Sequence, residues 1–272
     1  MTTALSVAAI LVVAYVVLAL LLWRYQERIV FQPPLWTEAP AADGLTRLSF
    51  SASDGTMLFA YVVGVPRAGG PSFLAFHGNA VVARWLIPWA REAARRFGGC
   101  VVVAEYRGYD GLSGAPSYAG IALDALAALE ASAAHLKVDR SAFVMFGHSL
   151  GSAVAAELAA SAGAKALVLQ SPFSSARDMV ARWPVVGFRL GWSLLARVHY
   201  DTVARVRDLD VPVFVAHGER DVVIPARMGR QVFAAARVPG QLLTVPEATH
   251  NDLPDVGGED YWRWLEAATV NP

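Results

Sequence analysis

Phe143-Val-Met-Phe-Gly147-His148-Ser149-Leu150-Gly151 is the stretch on which the fold turns. An apolar run leads straight into Gly-x-Ser-x-Gly, and the small-residue segment Ser152–Ala160 follows at once. Strand, sharp turn and helix in succession is the context that makes a serine an exposed nucleophile. The glycines have a steric purpose. Without Cβ atoms at 147 and 151, strand and helix approach closely, and the serine between them is held in a strained backbone conformation. The competing reading is a Gly/Ser turn in which Ser149 merely caps a helix.

Outward from this stretch, short apolar strands alternate with amphipathic helices. Ser72, Cys100, Ala142, Ala166, Val211 and Gln241 each open a predicted core strand. Helices are predicted over 85–97, 117–135, 226–236 and 259–268, and Ser53-Asp54-Gly55-Thr56 reads as a hairpin turn between strands 46–52 and 57–65. This is an α/β pattern with a mostly parallel sheet covered by helices on both faces. In such sheets the functional loops lie at the carboxyl ends of the strands. His77, Ser149, Asp221 and His250 all follow predicted strands there.

The chain has 272 residues, enough for one large α/β domain, with 23 acidic and 23 basic side chains. That balance gives no basic surplus for nucleic acid. One cysteine, Cys100, excludes an intrachain disulfide and reads as a buried strand residue. The six histidines show no spacing typical of a metal site. The mean hydropathy of +0.40 is high for a soluble enzyme.

Part of that hydropathy lies at the N-terminus. Residues 5–22 read LSVAAILVVAYVVLALLL, with no charged side chain. As a helix this run is about 27 Å long, close to the thickness of a hydrocarbon core. Trp23, Arg24, Tyr25 and Arg28 follow, the residue types of a membrane interface. A cleaved signal peptide fits less well, because no Lys or Arg precedes the run and no small-x-small site follows it. The expected division is a single-pass anchor over 1–28, a linker over 29–45 and a catalytic domain over 46–272. Arg24 and Arg28 favour a cytoplasmic catalytic domain by the positive-inside rule, although Glu27 weakens that inference.

A serine hydroxyl needs a base within hydrogen-bond reach. His250 is the expected base and Asp221 the expected acid, and Ser–Asp–His is the chain order that accompanies a strand–turn–helix serine. Glu219 and Asp252 are the rival acids, both expected to make local contacts instead. The oxyanion requires two backbone N–H donors. Leu150, at the start of the helix after the turn, is one. The other is expected in the His77-Gly78-Asn79 turn, at Asn79 or otherwise Ala80.

Taken together, His77-Gly-Asn-Ala80, Glu105-Tyr-Arg-Gly-Tyr109, Gly147-His-Ser-Leu-Gly151, Ser171-Pro-Phe-Ser-Ser175 and Gly218-Glu-Arg-Asp221 through Pro225 resemble the α/β-hydrolase fold, and within it the Bem46-like group. The resemblance spans roughly residues 50–268. It implies the triad Ser149, Asp221 and His250, no metal or organic cofactor, and hydrolysis of acyl esters or thioesters. Members commonly carry an N-terminal membrane segment. Two departures are visible. Tyr109-Asp110-Gly111-Leu112-Ser113 has one residue more than the usual stretch, and the cysteine-rich tail of family depalmitoylases is absent.

Segment 173–210 lies between two core strands and reads as a short lid of two small helices, rich in Trp, Phe, Leu and Val. Such apolar surface over a site suggests an acyl groove or contact with the bilayer, the alternative being that it closes the core. The candidate pocket residues are His77, Ala80, Tyr106, His148, Phe173, Trp183, Phe188 and Trp192. The expectation is a membrane-anchored serine hydrolase of lipophilic esters or thioesters. The other readings are an amidase or peptidase with the same triad, and a non-catalytic module binding lipid or protein. Oligomeric state has no signature in the sequence.

Overall fold

Val101, Val102 and Val103 point alternately to opposite sides of a sheet and are all buried, because helices cover both faces. The structure is a computed structural model that describes residues 2–35, 39–67, 69–182, 192 and 195–270. Its sheet contains β1 (Thr46–Ser51), β2 (Met57–Gly64), β3 (Ser72–Phe76), β4 (Cys100–Ala104), β5 (Phe143–His148), β6 (Ala166–Gln170), β7 (Val213–Gly218) and β8 (Pro239–Val245). The spatial order is β1-β2-β4-β3-β5-β6-β7-β8. β1–β2 and β2–β4 are antiparallel, and every pairing from β4 to β8 is parallel.

The helices are α1 (Thr2–Val30), α2 (Ile87–Phe97), α3 (Tyr118–Leu136), α4 (Leu150–Ala162), α5 (Ala176–Val180), α6 (Thr202–Asp208), α7 (Ala226–Ala235) and α8 (Leu253–Val270). One core joins Leu74, Val102, Met145 and Leu167 to Ile121, Val154, Val206 and Met228 of α3, α4, α6 and α7. The other joins Phe73, Val101, Phe146 and Val168 to Trp89, Ala90 and Leu265 of α2 and α8. Each large aliphatic or aromatic side chain buried in this way contributes about 1.5–3 kcal/mol. Helix starts are fixed locally. The Ser117 hydroxyl accepts from the Gly120 N–H at 3.0 Å, and the Asp201 carboxylate accepts from Ala204 at 2.9 Å.

Two elements depart from expectation. α8 starts at Leu253 instead of near 259, with a break at Gly258 (φ 50°, ψ −133°), so the glycine pair divides a longer helix instead of preceding one. α1 runs past residue 28 to Val30, and Phe31 behind it is buried in the core. The span from Leu5 to Val30 is long and apolar enough to cross a membrane, and its most apolar part is not buried. α3 passes the same length and composition test but packs in the core. Of the expected lid, the described residues hold α5 and α6, and residues 183–191, 193 and 194 lie outside them.

Candidate active site

β5 delivers Ser149 to the turn before α4 with φ 54° and ψ −116°, a conformation that side chains rarely adopt. The turn is held from three sides. Ser149 N–H donates to the Gln170 carbonyl at 3.0 Å, and the Ser149 carbonyl accepts from the Ser152 N–H at 3.0 Å and its hydroxyl at 2.5 Å. The glycines permit the crossing. A Cβ at Gly147 would lie 2.1 Å from the Gly151 oxygen, and one at Gly151 would lie 2.2 Å from the Phe76 oxygen.

The Ser149 side chain does not cap α4. Its Oγ stands 2.9 Å from Nε2 of His250, which follows β8. Nδ1 of His250 stands 2.6 Å from Oδ2 of Asp221, which follows β7. The network assigns the Nδ1–H tautomer, leaving Nε2 free to accept the serine proton. Asp221 is buried and well supplied with donors. Oδ1 accepts from the N–H groups of Val223 at 2.9 Å and Ile224 at 2.8 Å, and Nε2 of His217 lies 3.2 Å from Oδ2. Burial pushes this carboxyl up. The hydrogen bonds from His217 and His250, the charge of His250 and the Ile224 N–H outweigh it and hold the group well below the usual carboxylate range.

The rival acids are occupied elsewhere. Glu219 pairs with Arg230 at 2.5 Å, and Asp252 accepts from the Thr249 N–H at 2.6 Å and its hydroxyl at 2.8 Å. Among the described residues, the N–H groups of Asn79 and Leu150 bond to no protein acceptor. Both residues line one cavity with Ser149. This arrangement can move a proton from a hydroxyl to an imidazole beside two free amide donors.

That cavity measures about 260 Å³ and is mainly apolar, with Ile29, Val30, Phe173, Met179, Trp192 and Tyr200 in its wall. Phe173 and Trp192 were expected there. Trp183 and Phe188 lie outside the described residues. The remaining four pocket candidates are corrected. His77 is sealed from solvent, with Nε2 2.7 Å from Glu105, and Tyr106 is sealed with its hydroxyl donating to the His77 carbonyl at 3.0 Å. Both brace the loop. Ala80 turns out to solvent at φ 57°. His148 lines, with His77, another cavity of about 620 Å³ whose wall includes Trp85, Asn251 and Trp262. Nε2 of His148 lies 3.1 Å from the His250 carbonyl, and burial, with the His250 ring beside it, pushes its imidazole down to about 4.

Sequence reading missed Ile29 and Val30 as cavity walls, Glu105 as the brace of the His77 turn, and His217 as a close neighbour of Asp221, its Nε2 bonded to the Ile224 carbonyl at 2.8 Å. Only Glu105 carried a signal, as a charged residue directly after the apolar strand β4. Among the described residues, no cluster of three or more His, Cys, Asp or Glu side chains is placed to hold a metal ion.

No family model matches the chain. It is 33% identical over 257 residues to an uncharacterized protein of Mycobacterium tuberculosis, covering 92% of this chain and 89% of that one. It is 31% identical to the alpha/beta hydrolase domain-containing protein WAV2 of Arabidopsis thaliana, covering 89% and 87%. It is also 31% identical to protein bem46 of Schizosaccharomyces pombe, covering 67% and 62%. Among solved structures, an esterase from Rhodococcus shares the fold with TM-score 0.63 at 16% identity, over 83% of this chain and 99% of the other. A membrane phospholipase A described as a bacterial virulence factor shares it with TM-score 0.62 at 17% identity, over 98% and 99%.

Proposed function

We propose that this chain, which belongs to the α/β-hydrolase-domain family of WAV2 and bem46, is a membrane-anchored serine hydrolase of lipophilic carboxylic esters or thioesters. The observation that carries the reading is the relay Asp221–His250–Ser149, with spacings of 2.6 and 2.9 Å at the mouth of an apolar cavity.

In this reading Ser149 Oγ attacks the acyl carbon as its proton passes to His250 Nε2. Asp221 keeps the ring in the required tautomer and stabilises the imidazolium. Charge develops on the carbonyl oxygen and is met by the N–H groups of Leu150 and Asn79, the first also at the positive end of α4. The tetrahedral adduct collapses, the bond to the alcohol or thiol breaks, and the imidazolium returns the proton to that leaving group. Water, deprotonated by His250, then attacks the acyl-serine. The acid is released and Oγ recovers its proton.

The apolar wall supports an acyl substrate over a peptide, and among the described residues no charged side chain lines this cavity to receive a peptide terminus. The apolar span of α1 supports the anchor, and Arg24 and Arg28 after it support a cytoplasmic catalytic domain. Residues 46–272 form the catalytic unit in this scheme, with 173–210 as its lid.

The test is turnover of matched ester, thioester and amide substrates by wild type and S149A. Ester or thioester turnover that vanishes in S149A is expected, with amide turnover slower by orders of magnitude. Equal turnover by S149A contradicts the proposal. Deleting residues 1–28 is expected to move the protein to the soluble fraction.

A further inference from the structure

The last two turns of α1 behave differently from the rest of that helix. Gln26 is only 2% exposed, although it follows an apolar run that is not buried. Its Oε1 accepts from the N–H groups of Arg197 and Val198, the latter at 3.1 Å, and its Nε2 donates to the Leu195 carbonyl at 3.3 Å. Glu27 accepts from the Tyr118 N–H at 3.2 Å and pairs with Arg197 at 3.1 Å. Phe31 packs edge-on against Tyr200, itself a wall of the Ser149 cavity. A flexible tether requires none of these contacts. A buried carboxamide with its donor and acceptor both satisfied fixes position, because moving it leaves polar groups stranded.

The helix end is also latched to the loop that carries a candidate oxyanion donor. A terminal helical carbonyl lacks an intrahelical partner. That of Val30 accepts from Nδ2 of Asn79 at 2.6 Å. Oδ1 of Asn79 accepts from the Gln32 N–H at 3.0 Å and from the Tyr109 hydroxyl at 2.8 Å. The side chain of Asn79 thus holds the exit of α1 while its own N–H stays free beside Ser149. Ile29 and Val30, on this latched turn, face the same cavity as Ser149, Leu150 and Met179.

We infer that the end of α1 is a wall of the acyl site, and that Ile29 and Val30 touch the substrate's acyl chain and set the length accepted. The inference rests on the serine-hydrolase reading above. An acyl chain bound between α5 and Ile29–Val30 lies against the membrane helix just beyond the interfacial residues Trp23 to Arg28. Val223, half exposed, forms another part of the same wall. A lipid acyl chain can therefore pass from the bilayer along α1 to Ser149 with little apolar surface exposed to water.

The test uses the full chain in detergent micelles, with p-nitrophenyl esters from acetate to palmitate, on wild type, I29W, V30W, I29A and S149A. Fluorophosphonate labelling reports an intact nucleophile in wild type and in the three wall variants, with S149A as the unlabelled control. The tryptophan variants are expected to lose roughly tenfold or more on palmitate relative to acetate, the scale on which pocket shape discriminates chain length. I29A is expected to shift the optimum to longer chains, and it tests the wall even if a tryptophan variant misfolds. Variants that label normally and keep the wild-type chain-length profile overturn the inference, as does a uniform loss at all lengths. Failure of the underlying reading looks different, with S149A hydrolysing as wild type does.

Discussion

Nε2 of His77 lies 2.7 Å from Oε1 of Glu105, and both side chains are sealed from solvent. The same carboxylate accepts from the N–H groups of Tyr106 at 3.0 Å and Ala83 at 2.9 Å. It ties the end of β4 to the His77-Gly78-Asn79 turn, from which Asn79 offers its N–H to the site. Glu105→Ala strands a buried imidazole and two amides, at a cost of about 1–3 kcal/mol or more. Urea unfolding should register that loss. Glu105→Gln should keep the fold and lower kcat about tenfold with KM nearly unchanged, since only transition-state contact is misplaced.

Asp221 is held well below the usual carboxylate range, and the sign of its effect follows. An unfolded carboxyl titrates near about 4, so the stabilisation from Asp221 is complete above about pH 5 and is lost as pH falls through the lower folded value. Asp221 stays ionised throughout the neutral range and adds no limb to the rate profile there. D221N should lower kcat by about 10³–10⁴-fold at pH 7, because the amide favours the wrong His250 tautomer. The stability gap between wild type and D221N should shrink below about pH 4.

His148 works in the same pH direction, over a higher range. Its imidazole sits at about 4 in the folded protein against an ordinary 6.5. The unfolded chain therefore binds more protons between those values, and stability falls as pH drops from 6.5 towards 4. His148→Gln keeps a donor towards the His250 carbonyl and removes that titration. Urea unfolding at pH 7.5 and 4.5 should show a smaller acid loss in the variant, by on the order of 1 kcal/mol given the partial exposure of His148.

Gly151→Ala tests the crossing of α4 over β3. The added Cβ would lie 2.2 Å from the Phe76 oxygen and 2.6 Å from the His77 oxygen, both backbone atoms that cannot rotate away. A loss of about 3 kcal/mol or more is expected in thermal or chemical unfolding, together with loss of activity. Ser149→Ala, which removes only Oγ, should unfold close to wild type.

The parallel strands were legible because β3 and β4 are uninterrupted apolar runs bounded by Gly, Pro or polar residues. Ser149, Asp221 and His250 were legible because each follows such a strand, and the structure brings the three together. The partners of Asp221 were less so, since His217 reaches it across a loop and no spacing rule predicts that contact. The pocket was legible only in part. Tyr106 follows a strand as a lining residue would, yet its hydroxyl turns back to the His77 carbonyl. The docking of α1 was hidden altogether. Gln26, Ile29 and Val30 form no pattern along the chain, and their partners Asn79, Val198 and Tyr200 lie far away in sequence.

The central claim is that Ser149 is a nucleophile activated by His250. Fluorophosphonate labelling of the detergent-solubilised full chain, followed by peptide mass spectrometry, tests it most directly. The account predicts one adduct, on the peptide carrying Gly147-His148-Ser149-Leu150-Gly151, absent from S149A and slowed by about three orders of magnitude in H250A. A folded wild type that takes no label, or an adduct that persists in S149A, would contradict it.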